Sequence, residues 1–309
     1  MRLKHLPGWL GVGLVLATSL MPPRASGQAQ KNPWASATDV AWGNAGVNGP
    51  GTFDKILLTK ENGMIDNSVR ALYMMKVDPG GTFTVAAAPD EDRLFFVASG
   101  QGRFTLGDEQ IDAKPGDAFG VPAGVKHGLT NTGKDAVELV ALASPLTAPN
   151  PTAKARWART ENQTWEVNNV HGPGCTERSG LRGGFSTVIA GMWLMTVAPG
   201  GINYAHTGNY DHQLFYIWAA ATPDPKPRDS RTHAARWIID GNLLQTKVGD
   251  VFYAHGGPTP MLHGTINESP DTPLIYVAFG VNVPGARPPG RRGAGGPPPG
   301  AGAPPPPGR

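Results

Sequence analysis

Two histidines stand in matching frames. GDAFGVPAGVKHGLTN, residues 116–131, delivers His127 four residues before Asn131. GDVFYAHGGPTPMLHGTIN, residues 249–267, delivers His263 four residues before Asn267. An imidazole can ligate a metal, carry a proton or wall a polar pocket, and its neighbours decide which of these it does. The chain has a single cysteine, Cys175, so no disulfide forms within it. That thiol follows His171 in HGPGC, a stretch that reads as a linker.

The two ends are set aside before the body is weighed. Met1 to Leu20 opens with Arg2 and Lys4, continues through the apolar run GWLGVGLVLATSL and reaches small residues in ASGQA. That order is the anatomy of a secretory signal peptide spanning residues 1–29, with cleavage near residues 27–29. The expected product is secreted or periplasmic, with no membrane span after cleavage. Residues 284–309 are Pro/Gly low complexity and are expected to form a disordered tail. The tail carries four arginines and the leader adds Arg2, Lys4 and Arg24, so the formal net charge of +3 belongs to the ends and the body is net negative. The basic balance therefore gives no reason to expect nucleic-acid binding.

The histidine frames belong to a longer internal repeat. ALYMMKVDPGG at 71–81 returns as GMWLMTVAPGG at 191–201, and DRLFFVAS at 92–99 returns as HQLFYIWA, both displaced by 120 residues. Gly116 returns as Gly249, an offset of 133, so the second copy holds about thirteen extra residues, expected within ATPDPKPRDSRTHAAR. Each copy consists of short runs rich in Val, Phe, Tyr, Leu and Ile, cut by turn residues such as VDPGG, ASGQG, KPGD and NTGKD. No long helical period intervenes. The fold class is all-β, of sandwich or barrel type.

The spacing Gly116, Pro122, Gly124, His127, Asn131 resembles the second motif of the cupin superfamily. The resemblance covers most of residues 40–280 and implies two tandem jelly-roll barrels: an N-terminal barrel with a leading arm at 30–145, a connector at 146–182 and a C-terminal barrel at 183–283. In that family the first motif supplies further ligands, a Gly followed by two His and a Glu. In the first copy Ala87, Pro89 and Arg93 stand at those positions, which implies no metal site. His127 and Arg93 remain as ligand contacts, suited to an anion if Arg93 points inward. A one-residue slip would instead turn Asp92 towards His127.

The second copy keeps more of the pattern. Counted from Gly200, the positions are His206, Gly208 and His212, which with His263 make a set of three imidazoles. Counted from Gly201, they are Thr207, Asn209 and Gln213, a poorer site. One bulge in the TGN turn decides, and both registers stay open. Three imidazoles without a carboxylate suit Cu, Zn, Ni or Fe better than Mn or Mg, so the implied cofactor is one divalent transition metal in the C-terminal barrel. Tyr204, Asp211 and His255 are close enough in sequence to orient ligands or shuttle a proton.

Two function classes follow. One is a metal-dependent enzyme acting on a small organic molecule, as an oxygenase-type oxidoreductase or a lyase or isomerase. The other is a non-catalytic bicupin that binds a small ligand or serves as a scaffold. The fold does not choose between them, and it leaves oligomerisation open.

Overall fold

The computed structural model describes residues 32–43, 48–64, 68–146, 152–167, 171–208, 210–220, 235–256 and 260–283. The expected leader (1–29) and tail (284–309), and most of the inserted loop, lie outside the described residues. Among the described residues every regular element is a strand except one 3-10 turn, Thr160–Asn162, and no helix is long and apolar enough to cross a membrane.

The strands assemble into two barrels, each a large sheet facing a four-stranded one. In the first, the six-stranded sheet runs in the order Arg156–Arg159, Asp117–Val121, Glu91–Ser99, Val137–Pro145, Ala71–Val77, Thr52–Leu58. Its partner sheet orders Thr82–Ala87, Lys126–Thr130, Gly102–Leu106 and Glu109–Ala113. The second barrel repeats this with a seven-stranded sheet built around His212–Ala219 and Leu274–Val281, and a partner sheet in which Ile202–His206 pairs with His263–Ile266.

The central strands of each large sheet are buried on both faces. Side chains alternate across a strand, so Phe95, Val97, Leu139 and Ala141 fill the first barrel while Leu94, Phe96, Val140 and Leu142 point out of it. In the second barrel Phe215, Ile217 and Ala278 point in, whereas Leu214, Tyr216, Val277 and Phe279 point out. The outward sets meet in one shared core between the barrels. This explains why these strands read as near-continuous apolar runs rather than as alternating ones.

The barrels also exchange arms. Trp34–Ser36, which precedes the first barrel, pairs with Asp250–His255 of the second, placing Trp34 opposite Phe252. Arg156–Arg159, within the connector, pairs with Asp117–Val121 of the first, placing Trp157 opposite Phe119. Cys175–Arg182, also within the expected connector, is a strand of the second barrel's large sheet.

The frame asparagines do the same job twice. Asn131 Nδ2 donates to the carbonyls of Val77 (2.8 Å) and Asp135 (2.9 Å), and Asn267 Nδ2 donates to those of Val197 and Thr272, each at 2.9 Å. Both amides are buried, so alanine would leave two carbonyls unpaired at each site. Asn131→Ala and Asn267→Ala should each lower unfolding stability by about 2–4 kcal/mol, read as a shift of the urea midpoint at unchanged m. A loss below about 0.5 kcal/mol in either would show that water replaces the amide.

Candidate functional site

Strand phase assigns each site residue a face. In the first barrel Phe95 and Val97 point inward, so Arg93 does as well, and its Nη1 donates to His127 Nε2 at 3.2 Å. Asp92 faces the other way and accepts from Ala123 N at 2.8 Å, which rules out the one-residue slip. His127 Nδ1 donates to the Val125 carbonyl at 2.8 Å, fixing the tautomer that accepts from Arg93. Arg93 Nε also donates to Glu91 Oε1 at 2.6 Å, and Arg70 Nη1 donates to Glu91 Oε2 at 2.7 Å. Burial, with a smaller contribution from Arg93, holds the His127 pKa down at about 4. A cavity of about 380 Å³, lined in part by Asn48, Phe83, Ala86 and Arg93, opens beside this cluster. Its one cation is already neutralised by a buried carboxylate.

In the second barrel the same phase divides the expected set. Phe215 and Ile217 point inward, so Gln213 does too, while His212 points out with Leu214 and Tyr216. His212 shares hydrogen bonds with Tyr253 Oη (2.8 Å, at Nδ1) and Ser68 Oγ (3.3 Å, at Nε2), joining the two barrels. It is not beside His206 and His263. The physical reason is an irregularity between Asn203 and His206, which sets His206 opposite His263 while the next strand keeps the phase of Gln213. The structure takes His206 from one sequence register and Gln213 from the other. Gly208 leaves the room Gln213 needs, because a Cβ there would lie 1.4 Å from Gln213 Oε1.

The other candidates hold structure around this end. Asp211 Oδ2 accepts from Val283 N at 2.7 Å. His255 stands opposite His212 and its Nδ1 donates to the Gly256 carbonyl at 2.8 Å. Tyr204 is 54% exposed.

A residue outside the expected set joins it. The His171 ring lies 4.7 Å from that of His206, which lies 4.5 Å from that of His263, and His171 Nδ1 is 3.1 Å from Asn203 Oδ1. The sequence carried a signal for it: HGPGC at 171–175 repeats NGPGT at 48–52, so His171 answers Asn48 of the first barrel. The backbone agrees, since Tyr204 N donates to the His171 carbonyl as Thr84 N donates to that of Asn48. Burial lowers all three pKa values: His263 to about 3, with further depression from His206 and His171, and His206 and His171 below the ordinary imidazole value.

The two interiors differ in how well their polar groups are satisfied. Gln213 Oε1, Thr265 Oγ1 and Trp237 Nε1 are buried without hydrogen-bond partners, while the His263 ring is held by the Met261 carbonyl. By strand register, Leu129 and Phe104 stand in the first barrel where Thr265 and Trp237 stand in the second. Among the described residues no group of three His, Cys, Asp or Glu side chains is disposed to hold a metal ion. With His212 turned out of the barrel to Tyr253 and Ser68, the set His206, His212 and His263 does not converge on one ion.

Two predictions follow from these contacts. A His pKa of about 4 in the folded state against about 6.5 unfolded means that, between those values, the unfolded chain binds the proton and the folded one does not. Stability should therefore fall as pH drops from about 6.5 to 4, His127 contributing on the order of 3 kcal/mol. His127→Gln should flatten that stretch of the stability–pH curve, and an unchanged slope would refute the assignment. Separately, His212→Phe should cost about 1–3 kcal/mol through the lost inter-barrel bonds, seen as a lowered urea midpoint. A variant as stable as the parent would show that the clamp contributes nothing.

Comparison with known proteins agrees with this architecture. Residues 73–143 match the Cupin domain family. An oxalate-binding protein of Thermotoga maritima is 28% identical over 86 residues, covering 28% of this chain and 69% of that protein. Among solved structures, Ylba from E. coli superposes with a TM-score of 0.60 at 13% identity, over 82% of this chain and 92% of its own. Oxalate decarboxylase of Bacillus subtilis, a protein with Mn(II) centres, gives 0.59 at 18% identity over 84% and 80%. At such identities these structures speak to fold alone. Residues 73–143 thus carry a cupin domain, and with its duplicated frames and two jelly-roll barrels the chain as a whole has the fold of a two-barrel cupin.

Proposed function

We propose that this bicupin binds a small, uncharged polar molecule in its C-terminal barrel and that the N-terminal barrel is structural. The observation that carries the reading is the set of three unpartnered buried polar atoms, on Gln213, Thr265 and Trp237, in the barrel that His263 lines. A buried donor or acceptor left without a partner costs about 1–3 kcal/mol, so such a cluster is the natural seat of a ligand or ordered water. His171 and His206 extend it as neutral imidazoles. A relative that binds oxalate supports a small organic ligand as the class. Charge argues against an anion such as oxalate itself: the imidazoles lining the second barrel are neutral, and Arg93 in the first is held by Glu91. The leader further supports export to the periplasm or exterior, and a mature N-terminus still carrying Met1 in the native host would overturn that.

A second reading is favoured by the adjacency of His171, His206 and His263. It has these imidazoles gather one divalent transition metal, Cu, Zn, Fe or Ni, for an oxygenase-type oxidoreductase or a lyase or isomerase. Two measurements separate the readings. Elemental analysis of untagged protein should find no stoichiometric transition metal. A thermal-shift panel of small polyols, amides and hydroxy-ketones should raise the Tm of the parent and of His127→Gln, but not of Gln213→Leu or His263→Phe. Stoichiometric metal lost in His206→Ala would select the enzyme class, and stabilisation surviving in Gln213→Leu and His263→Phe would remove the site from this barrel.

A further inference from the structure

The exchanged arms are related by the same repeat as the barrels, and comparing them reveals a gap. In the first barrel Asp117, fully buried, receives Arg159 from the opposing arm: Nε and Nη2 donate to its two carboxylate oxygens at 3.1 and 3.0 Å. The same guanidinium lies 5.5 Å over the ring of Trp157. Lys114 N donates to Asp117 Oδ2, and the Lys114 ammonium pairs with Glu161. Carboxylate, guanidinium and indole form one closed unit.

The second barrel keeps every part of this unit except the guanidinium. Asp250 takes the place of Asp117, with Lys247 N donating to its Oδ2 at 2.9 Å. Lys247 takes the place of Lys114 and pairs with Asp39 at 3.6 Å, and Trp34 takes the place of Trp157. The arm residue opposite Asp250 is Ser36, where Arg159 stands opposite Asp117. Asp250 is only 8% exposed, and from the arm it meets a neutral hydroxyl, that of Ser36, also 2.9 Å from Thr38 Oγ1, where Asp117 meets a guanidinium. Thr246, where the first barrel has Ala113, is buried with its own hydroxyl unpartnered. Both residues line a groove of about 530 Å³ between the arm and the barrel, walled by Trp34, Leu244 and Phe252. Burial raises the Asp250 carboxyl above its ordinary value, against smaller lowering contributions from the Ser36 hydroxyl hydrogen bond and from Lys247. This is the behaviour of an acid that lacks a cation.

We propose that this groove is a binding site for a small organic cation, a guanidinium or primary ammonium group, seated between the Asp250 carboxylate and the Trp34 ring as Arg159 is seated between Asp117 and Trp157. Three features point there: an internal copy that shows the cation in place, a groove of suitable size, and a buried acid with no guanidinium opposite it beside the buried, unpartnered hydroxyl of Thr246. With Lys247 already paired to Asp39, the formal charge left at the floor of the groove is one negative, and indole adds a cation–π face. A bidentate guanidinium satisfies the carboxylate better than a point-charge ammonium. The site is separate from the imidazole-lined end of the same barrel and does not depend on what binds there.

The test is titration calorimetry of the purified protein with methylguanidinium chloride, with ethylammonium chloride as the weaker probe and sodium acetate as the control at equal ionic strength. Methylguanidinium should bind saturably in the millimolar range or tighter, ethylammonium more weakly and acetate not at all. Asp250→Asn should weaken methylguanidinium binding about tenfold or more. Ser36→Arg supplies the missing group from the arm, so it should raise the Tm and abolish methylguanidinium binding. That second variant keeps the test decisive if Asp250→Asn folds poorly. Failure of the parent to bind methylguanidinium, equal heats for acetate, or binding undiminished in Ser36→Arg would each overturn the proposal.

Discussion

The constraint on which the rest of the molecule depends is that the central strands of both large sheets are buried on both faces. In an ordinary half-exposed sheet a one-residue slip exchanges core for solvent and is resisted by one face only. Here Leu94, Phe96, Leu214 and Tyr216 are committed to the inter-barrel core as firmly as Phe95, Val97, Phe215 and Ile217 are to the barrel interiors. Neither face of these strands can yield, so the phase of every polar residue at their ends is inherited from apolar neighbours. Arg93 and Gln213 are inside because Phe95 and Phe215 are. His212 serves as an inter-barrel hydrogen-bonding group because Leu214 and Tyr216 lie between the barrels.

That dependence explains what could be read from the sequence. The all-β class, the two barrels and the frames of His127 and His263 were legible because repeats and turn residues carry them, and repeats survive without knowledge of side-chain direction. The ligand set was not legible. Counting residues from Gly200 assumes that two strands and the turn between them keep one register, and an irregularity between Asn203 and His206 breaks that assumption. His171 escaped because the repeat was traced only through the strongest strands. Its counterpart is the short NGPGT stretch, and a composition reading made HGPGC a linker when it is the segment that pairs beside Ile202–His206. The arm exchange was hidden for a related reason: pairing between distant segments leaves no local periodicity.

Duplication also gives an internal control that a single barrel lacks. Where the copies agree, as in the paired amides of Asn131 and Asn267 or the left-handed Gly116 and Gly249, both with φ of 92°, the residue serves the fold. Where they differ, one copy has changed what it does. The first barrel has closed its polar network: His127 uses both ring nitrogens, Arg93 is tied to Glu91, and Leu129 and Phe104 bring no polar atoms. The second has replaced Leu129 and Phe104 with Thr265 and Trp237, and Asn48 with His171, without supplying partners for all of them.

An unsatisfied polar group in a packed interior is unfavourable unless something compensates it, and a barrel that folds has a ready alternative in the apolar residues its twin uses at the same positions. The leucine, phenylalanine and alanine of the first barrel show that this backbone accepts them. Retaining Thr265, Trp237 and Thr246 therefore forgoes stability that the same scaffold demonstrates it can have. Stability of that kind is given up in binding sites, where an incomplete hydrogen-bond inventory is completed by the ligand. The second barrel is incomplete in two separate places, its imidazole-lined interior and its arm groove, and the first barrel shows, residue for residue, what a completed version of each looks like.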